Sequence, residues 1–172
     1  MVIVWDIERR KSRQIFYGHS DSVWEVAFSP DGRSLASGAI DATVRVWDLE
    51  TNQELMRLQG KGESVTEVAF SPDGNRIASG SRGDHVEVWD LTTKQRIHRL
   101  DGHGDVRAIA AGPELYPWRA FVRHGTDETH IASSLTGEVV SVFPIALSNI
   151  RTHPSGRMWI GSSGNHLHAI KL

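Results

Sequence analysis

The sequence predicts an all-β protein built from repeated antiparallel units, and three observations predict it. A block running from Gly18-His19 to Trp47-Asp48 recurs at a period of 42 residues. Its turn Ser29-Pro30-Asp31-Gly32, its small-residue run Ala36-Ser37-Gly38 and its Val44-Arg45-Val46-Trp47-Asp48 return as Ser71-Pro72-Asp73-Gly74, Ala78-Ser79-Gly80 and Val86-Glu87-Val88-Trp89-Asp90, and Trp5-Asp6 stands one period upstream. Between these signals the chain reads as short alternating runs rich in β-branched and aromatic residues, with no helical apolar stripe long enough to compete. Self-similarity of this kind marks a supersecondary unit that buries its apolar face only against its neighbours.

Taken in order, residues 2–6 alternate towards Trp5-Asp6 as residues 44–48 do towards Trp47-Asp48, so the chain opens on the third strand of a unit, with the fourth at residues 14–17. A first full copy then carries strands at residues 23–28, 34–38, 43–48 and 54–58. In its first strand Val23, Val26 and Phe28 are the apolar positions, and in its turn Pro30 presets φ while Gly32 accepts a positive φ. The second full copy repeats this at residues 65–70, 76–80, 85–90 and 95–100.

The third copy has drifted. Gly102-His103 keeps register, but Val106, Ile109 and Ala111 match Val65, Val68 and Phe70 only after one deletion, and Gly112-Pro113-Glu114-Leu115 replaces the turn. The expected strands are Val106 to Ala111 as the first, then residues 118–124, 129–133 and 139–143, and nothing here is read as helical. A last partial copy follows, with the first strand and its turn at residues 150–156, the second strand at 157–162 and the third at 167–171. The units are therefore about 1–17 (partial), 18–59, 60–101, 102–147 (degenerate) and 148–172 (partial).

An opening Gly-His, a closing Trp-Asp and this spacing resemble the WD-repeat family, whose copies are the four-stranded blades of a β-propeller. The closing stretch from His153 to Leu167 is similar to the ends of bacterial multi-domain WD-repeat proteins. The resemblance implies a partial propeller of about four antiparallel blades, and a platform that binds proteins or peptides, belonging to a larger signalling protein. Closure would join residues 14–17 to the three strands after Ile150, but residues 2–6 are then left over with Ile3 and Trp5 exposed. The expectation is an open arc that self-associates or takes further blades from an upstream segment.

Composition narrows the function classes. With 19 Lys+Arg against 21 Asp+Glu the formal charge is −2, which disfavours nucleic acid and anionic membrane as partners. The absence of cysteine removes thiolate chemistry and disulfides and fits a cytoplasmic protein. No apolar run approaches the roughly 20 residues that span a bilayer.

The resemblance also implies a hydrogen-bonded tetrad, carried by His19, Ser37, Asp41 and Trp47 in the first full copy. A Ser/His/Asp set invites a hydrolase reading, but no nucleophile elbow or oxyanion hole accompanies Ser37, and a structural network accounts for the same residues. The second copy has Lys61 and Gly83 where His19 and Asp41 recur, so its tetrad is expected to be incomplete. His166, His168 and His153 offer imidazoles without a carboxylate or fourth ligand at recognisable spacing, and neither a metal nor any other cofactor is expected. Gly60-Lys61-Gly62-Glu63-Ser64 lacks the rest of a phosphate-loop spacing.

The repeat supplies an internal control for exposure. Trp24 recurs as Thr66 and Arg107 while neighbouring positions stay apolar, so this is not a core position, and Trp and Arg are the types most enriched at binding hot spots. The alternative is scattered surface residues. The resemblance places this position near the rim of the face that also carries Ile40 and its counterpart Arg82. Trp24, Ile40, Lys61, Arg82 and Arg107 are the partner-binding candidates, and their basic members suit an acidic or phosphorylated peptide.

Overall fold

The computed structural model of the chain describes residues 1–60, 63–81, 85–101, 103–104, 106–111, 118–122, 128–133, 138–144, 148–152, 158–163 and 166–171. A two-stranded sheet pairs β1 (Val2–Asp6) with β2 (Lys11–Phe16). Two four-stranded sheets follow in simple up-and-down order, first β3 (Val23–Phe28), β4 (Ser34–Ala39), β5 (Thr43–Asp48) and β6 (Glu54–Gln59), then β7 (Val65–Phe70), β8 (Arg76–Ser81), β9 (His85–Asp90) and β10 (Gln95–Asp101). The third contains β11 (His103–Gly104), α1 (Val106–Ala111) outside the sheet, then β12 (Trp118–Val122), β13 (Thr129–Ser133) and β14 (Val139–Phe143). A three-stranded sheet of β15 (Ser148–Thr152), β16 (Met158–Ser163) and β17 (His166–Lys171) ends the order. All pairings within these sheets are antiparallel, and the result is the expected partial, open propeller.

Two turn devices repeat. Gly32 sits at φ 69° and donates its N–H to Ser29 O at 2.9 Å, and Gly74 does the same to Ser71 O at φ 73°. In each, the serine hydroxyl and a backbone N–H two residues on both donate to the aspartate, Asp31 or Asp73, which pulls that carboxyl below its usual value. The second device uses the aspartate of each Trp-Asp pair. Asp48 accepts from the N–H groups of Glu50 and Thr51, Asp90 from those of Thr92 and Thr93, and Asp6 from that of Arg9. These turns carry Arg10, Asn52 and Lys94 at φ 51°, 62° and 59°, one period apart.

One expectation is corrected. Val106 to Ala111 is helix α1 and not a first strand. The second copy's Val65-Thr66-Glu67-Val68-Ala69-Phe70 has become Val106-Arg107-Ala108-Ile109-Ala110-Ala111, and alanine is the strongest helix former. In the helix Val106, Ile109 and Ala110 share one face and pack on Ala69, Ala78, Val86 and Val88. The first strand of that sheet is instead the two-residue β11, with His103 opposite Val122. The ends follow the expected open arc: β2 pairs with β1, and among the described residues no strand joins it to β15–β17.

The core lies between sheets. Ala36, Val44, Val46 and Leu58 meet Val65, Val68, Ile77 and Trp89 at one interface, and Val2 and Phe16 meet Leu35 and Trp47 at the interface before it. Gly38 permits the closest approach. A Cβ there would stand 2.5 Å from Val65 Cγ1 and 2.9 Å from Val68 Cγ1, so the bare glycine lets β7 settle on β4.

Candidate functional site

The first full sheet assembles a buried polar chain at one end. Trp47 Nε1–H donates to Ser37 Oγ at 2.8 Å, Ser37 Oγ lies 2.7 Å from His19 Nε2, and His19 Nδ1 lies 2.9 Å from Asp41 Oδ2. A carboxylate only accepts, so Nδ1 carries the imidazole proton and Nε2 accepts from the serine hydroxyl. Every proton in the chain then points one way, from Trp47 through Ser37 to His19 and on to Asp41. Burial pushes the His19 pKa below its ordinary 6.5, against the pull of Asp41. Burial alone would raise Asp41, but donation from Thr43 Oγ1 at 2.6 Å, from His19 and from the Ser20 N–H at 2.9 Å outweighs it and lowers its pKa to about 2.

Thr43 is a fifth member that sequence reasoning missed. Its counterpart is His85, a dissimilar residue, so the repeat gives no signal for it. In the second copy Trp89 Nε1–H reaches Ser79 Oγ at a longer 3.3 Å. His85 is buried there, with Nδ1 3.0 Å from Ser81 Oγ and 3.2 Å from Glu63 Oε2. Lys61, Gly83 and Asp84 lie outside the described residues.

The distances from Ser37 to His19 to Asp41 are those a nucleophilic relay needs. Access is not. Ser37 is 0% exposed, and one acceptor position of its oxygen is taken by the Trp47 indole. Among the described residues no group of three or more His, Cys, Asp or Glu is placed to hold a metal ion. His153 lies outside the described residues, and His166 and His168 sit on β17.

A second feature was hidden by its own chemistry. Arg45 on β5 pairs with Glu54 on β6, and one period later Glu87 on β9 pairs with Arg96 on β10. The charges are exchanged, yet in both copies the guanidinium carbon stands 5.9 Å from the centroid of the signature indole, Trp47 or Trp89. Gly18 makes room for this, since a Cβ there would lie 2.4 Å from Arg45 Nη1.

Among the partner-binding candidates, Trp24 occupies a β-bulge. Pairing between β3 and β4 shifts register between Val23 and Glu25, and pairing between β7 and β8 shifts at the same place, between Val65 and Glu67. A bulge re-aims the extra side chain, which explains why Trp24 and Thr66 escape the core pattern. Trp24 is 53% exposed. Ile40 is half-buried, and its N–H donates to Ser22 O at 2.9 Å, which places it at the same end of the sheet. Arg107 lies on α1, not on a bulged strand, with its side chain outside the described residues. Arg82, like Lys61, falls outside them, and of the five candidates the described residues place Trp24 and Ile40 together at this end of the sheet.

The family model of the WD domain, G-beta repeat (WD40), matches residues 10–48 and 52–90. Similar curated proteins include Superkiller complex protein 8 of Dictyostelium discoideum, 42% identical over 43 residues, which cover 25% of this chain and 14% of that protein. WD repeat-containing protein 36 of Homo sapiens is 48% identical over 44 residues, 26% of this chain and 5% of that protein. The matched stretches are thus a small part of either relative. The first match spans the turn at residues 29–32 and Trp47-Asp48, and the second the turn at residues 71–74 and Trp89-Asp90, so residues 10–48 and 52–90 each match as a WD40 repeat.

Proposed function

We propose that the chain is a non-catalytic protein-interaction scaffold that binds a protein or peptide through the sheet ends and faces around Trp24. WD40 repeats generally mediate protein–protein interaction. The observation that carries the reading is the contrast between two sites of the first full copy: the polar chain at Ser37 is sealed from solvent, while the bulge presents a large aromatic to it. An indole held on a rigid strand contributes much contact area at little entropic cost on binding. A cytoplasmic, signalling setting goes with this proposal, supported by the cysteine-free sequence and the resemblance.

Capture from lysate by the immobilised chain tests it. Trp24→Ala is expected to remove captured proteins while the circular dichroism spectrum stays unchanged. An unchanged set of captured proteins would overturn the role given to Trp24. Ester or peptide hydrolysis that disappears in Ser37→Ala would overturn the non-catalytic reading.

A further inference from the structure

Arg9, Arg10, Lys11 and Arg13 place four cations within five residues, on the turn from β1 to β2 and the start of β2. Against Asp6 and Glu8 they give residues 6–13 a net charge of +2, in a chain whose formal charge is −2. The Arg9 N–H donates to Asp6 Oδ1 at 2.8 Å, and its exposed guanidinium stands 3.6 Å from Asp6 Oδ2. Among the described residues Arg10, Lys11 and Arg13 pair with no acid.

The repeat shows that the fold does not require these charges. Thr51-Asn52-Gln53-Glu54-Leu55 and Thr93-Lys94-Gln95-Arg96-Ile97 build the same turn, with the same positive φ at the second residue and the same β-bulge at the fifth. All five positions are exposed in each copy, the two complete sheets included, so the exposure of residues 9–13 does not depend on what precedes β1. Cations crowded on one turn repel each other, a cost that an anion among them removes. In their midst stands an exposed hydroxyl, Ser12.

We propose that Ser12 is a phosphorylation site, modified with ATP by a serine/threonine protein kinase that reads arginines on the N-terminal side of its target. Ser12 Oγ bonds to the γ-phosphorus of ATP, the bridging P–O bond to the β-phosphate breaks, ADP leaves, and the hydroxyl proton passes to the kinase's catalytic base. A substrate cleft lined with carboxylates selects Arg9 and Arg10, three and two residues before the serine, by charge and by the guanidinium fork. Exposed Ser20, Ser22, Thr51, Thr92 and Thr93 have no lysine or arginine among the three residues before them. Residues 11–13 are already extended, on a strand that pairs on one side with β1. Extending the turn releases the exposed contacts of Arg9 with Asp6 and relieves the positive φ of Arg10.

The fold accepts the product. Ser12 lies opposite Trp5 as Glu54 lies opposite Trp47 and Arg96 opposite Trp89, so this position already takes a charged side chain of either sign. A phosphate at Ser12 brings the hairpin close to neutral and sits within reach of guanidinium groups on both sides of it in sequence. The hairpin thus becomes a charge switch, at the end of the sheets opposite Trp24.

The experiment treats the native 172-residue chain with the catalytic subunit of cyclic-AMP-dependent protein kinase, an arginine-directed enzyme, and magnesium ATP, and reads the product by intact and fragment mass. The expected result is one phosphoryl group per chain, on Ser12, and none on Ser12→Ala. Arg9→Ala combined with Arg10→Ala is expected to slow the reaction by about tenfold or more. The phosphorylated chain and Ser12→Glu are expected to keep the circular dichroism and thermal unfolding of the unmodified chain. No incorporation, incorporation elsewhere with Ser12 bare, or a rate indifferent to both arginines overturns the proposal. Modification of a peptide of residues 5–17 while the native chain stays unmodified also overturns it, because the folded hairpin would then withhold the serine. None of these outcomes bears on capture through Trp24.

Discussion

Gly80 faces Val106: a methyl carbon of Val106 lies 3.1 Å from where a Cβ on Gly80 would stand. One period earlier Gly38 faces Val65 and Val68 in the same way. Helix α1 therefore rests on β7, β8 and β9 in the place where β7 rests on β3, β4 and β5. The sheet-to-sheet contact has survived a change of secondary structure in the element that makes it, because the apolar residue arriving first and the glycine receiving it are both retained.

This comparison predicts unequal costs for the same substitution. Gly38→Ala must displace two buried valines of β7, a strand held along its length by β8, and is expected to destabilise the chain by about 1–3 kcal/mol through overpacking. Gly80→Ala meets one valine at the start of a short helix and is expected to cost less. Urea unfolding of both variants checks the order.

A second prediction concerns the indoles. Trp47→Phe removes the donor that opens a buried relay, leaving Ser37 without one of its partners, and is expected to cost about 1–3 kcal/mol. Trp89→Phe loses a longer bond to its serine, and is expected to cost less. Trp24→Ala, trimming a half-exposed bulge residue, is expected to cost least. Thermal melts rank the three.

The pH dependence follows from the direction of the proton chain. His19 is held neutral in the fold, with its pKa below the ordinary 6.5, so between those two values the unfolded chain binds more protons and stability falls as the pH falls. Asp41 adds to this in stronger acid: its stabilising contribution is present above pH 3.8 and is lost as the pH falls towards about 2. The melting temperature is expected to decline from pH 7 to pH 5, and His19→Gln is expected to flatten that part of the profile. A His19 imidazole that titrates above 6.5 by nuclear magnetic resonance would overturn this prediction.

What the sequence displayed, and what it concealed, divides on physical grounds. Ser-Pro-Asp-Gly turns, Trp-Asp pairs and alternation are local signals, and the strands between residues 23 and 90 fall within a residue or two of where they are read. The helix at Val106 was concealed because its apolar positions also fit a strand of the preceding copy, and only its alanine content separates the two. Arg10 and Lys94 adopt positive φ with side chains that give no hint of it, since the constraint comes from the Asp6 and Asp90 turns. The tetrad residues could be placed by position, but Thr43 and the Glu63–His85 pair are substitutions between copies that only the structure relates.

The exchanged ion pairs give the last prediction. Arg45 is buried and Glu54 partly exposed, while Glu87 is buried and Arg96 partly exposed, so in each copy the third strand carries the buried partner and the fourth strand the accessible one. Removing one partner of such a pair leaves a charge without compensation in low dielectric, and Arg45→Glu also sets two carboxylates against each other. That single change is expected to cost on the order of 3 kcal/mol. Adding Glu54→Arg copies the arrangement of the second sheet, where a fourth-strand guanidinium reaches the same distance from the indole centroid. The double variant is therefore expected to recover most of the loss, with a coupling energy of about 2–3 kcal/mol in a double-mutant cycle. Residual destabilisation is expected near Gly18, whose missing Cβ is matched to Arg45 Nη1, whereas a carboxylate stands 3.3 Å from the Cβ position of its counterpart Gly60. Unfolding free energies of the wild type, the two single variants and the double variant decide it. A double variant no more stable than Arg45→Glu would mean that the indole, and not the opposite charge, holds Arg45 in place.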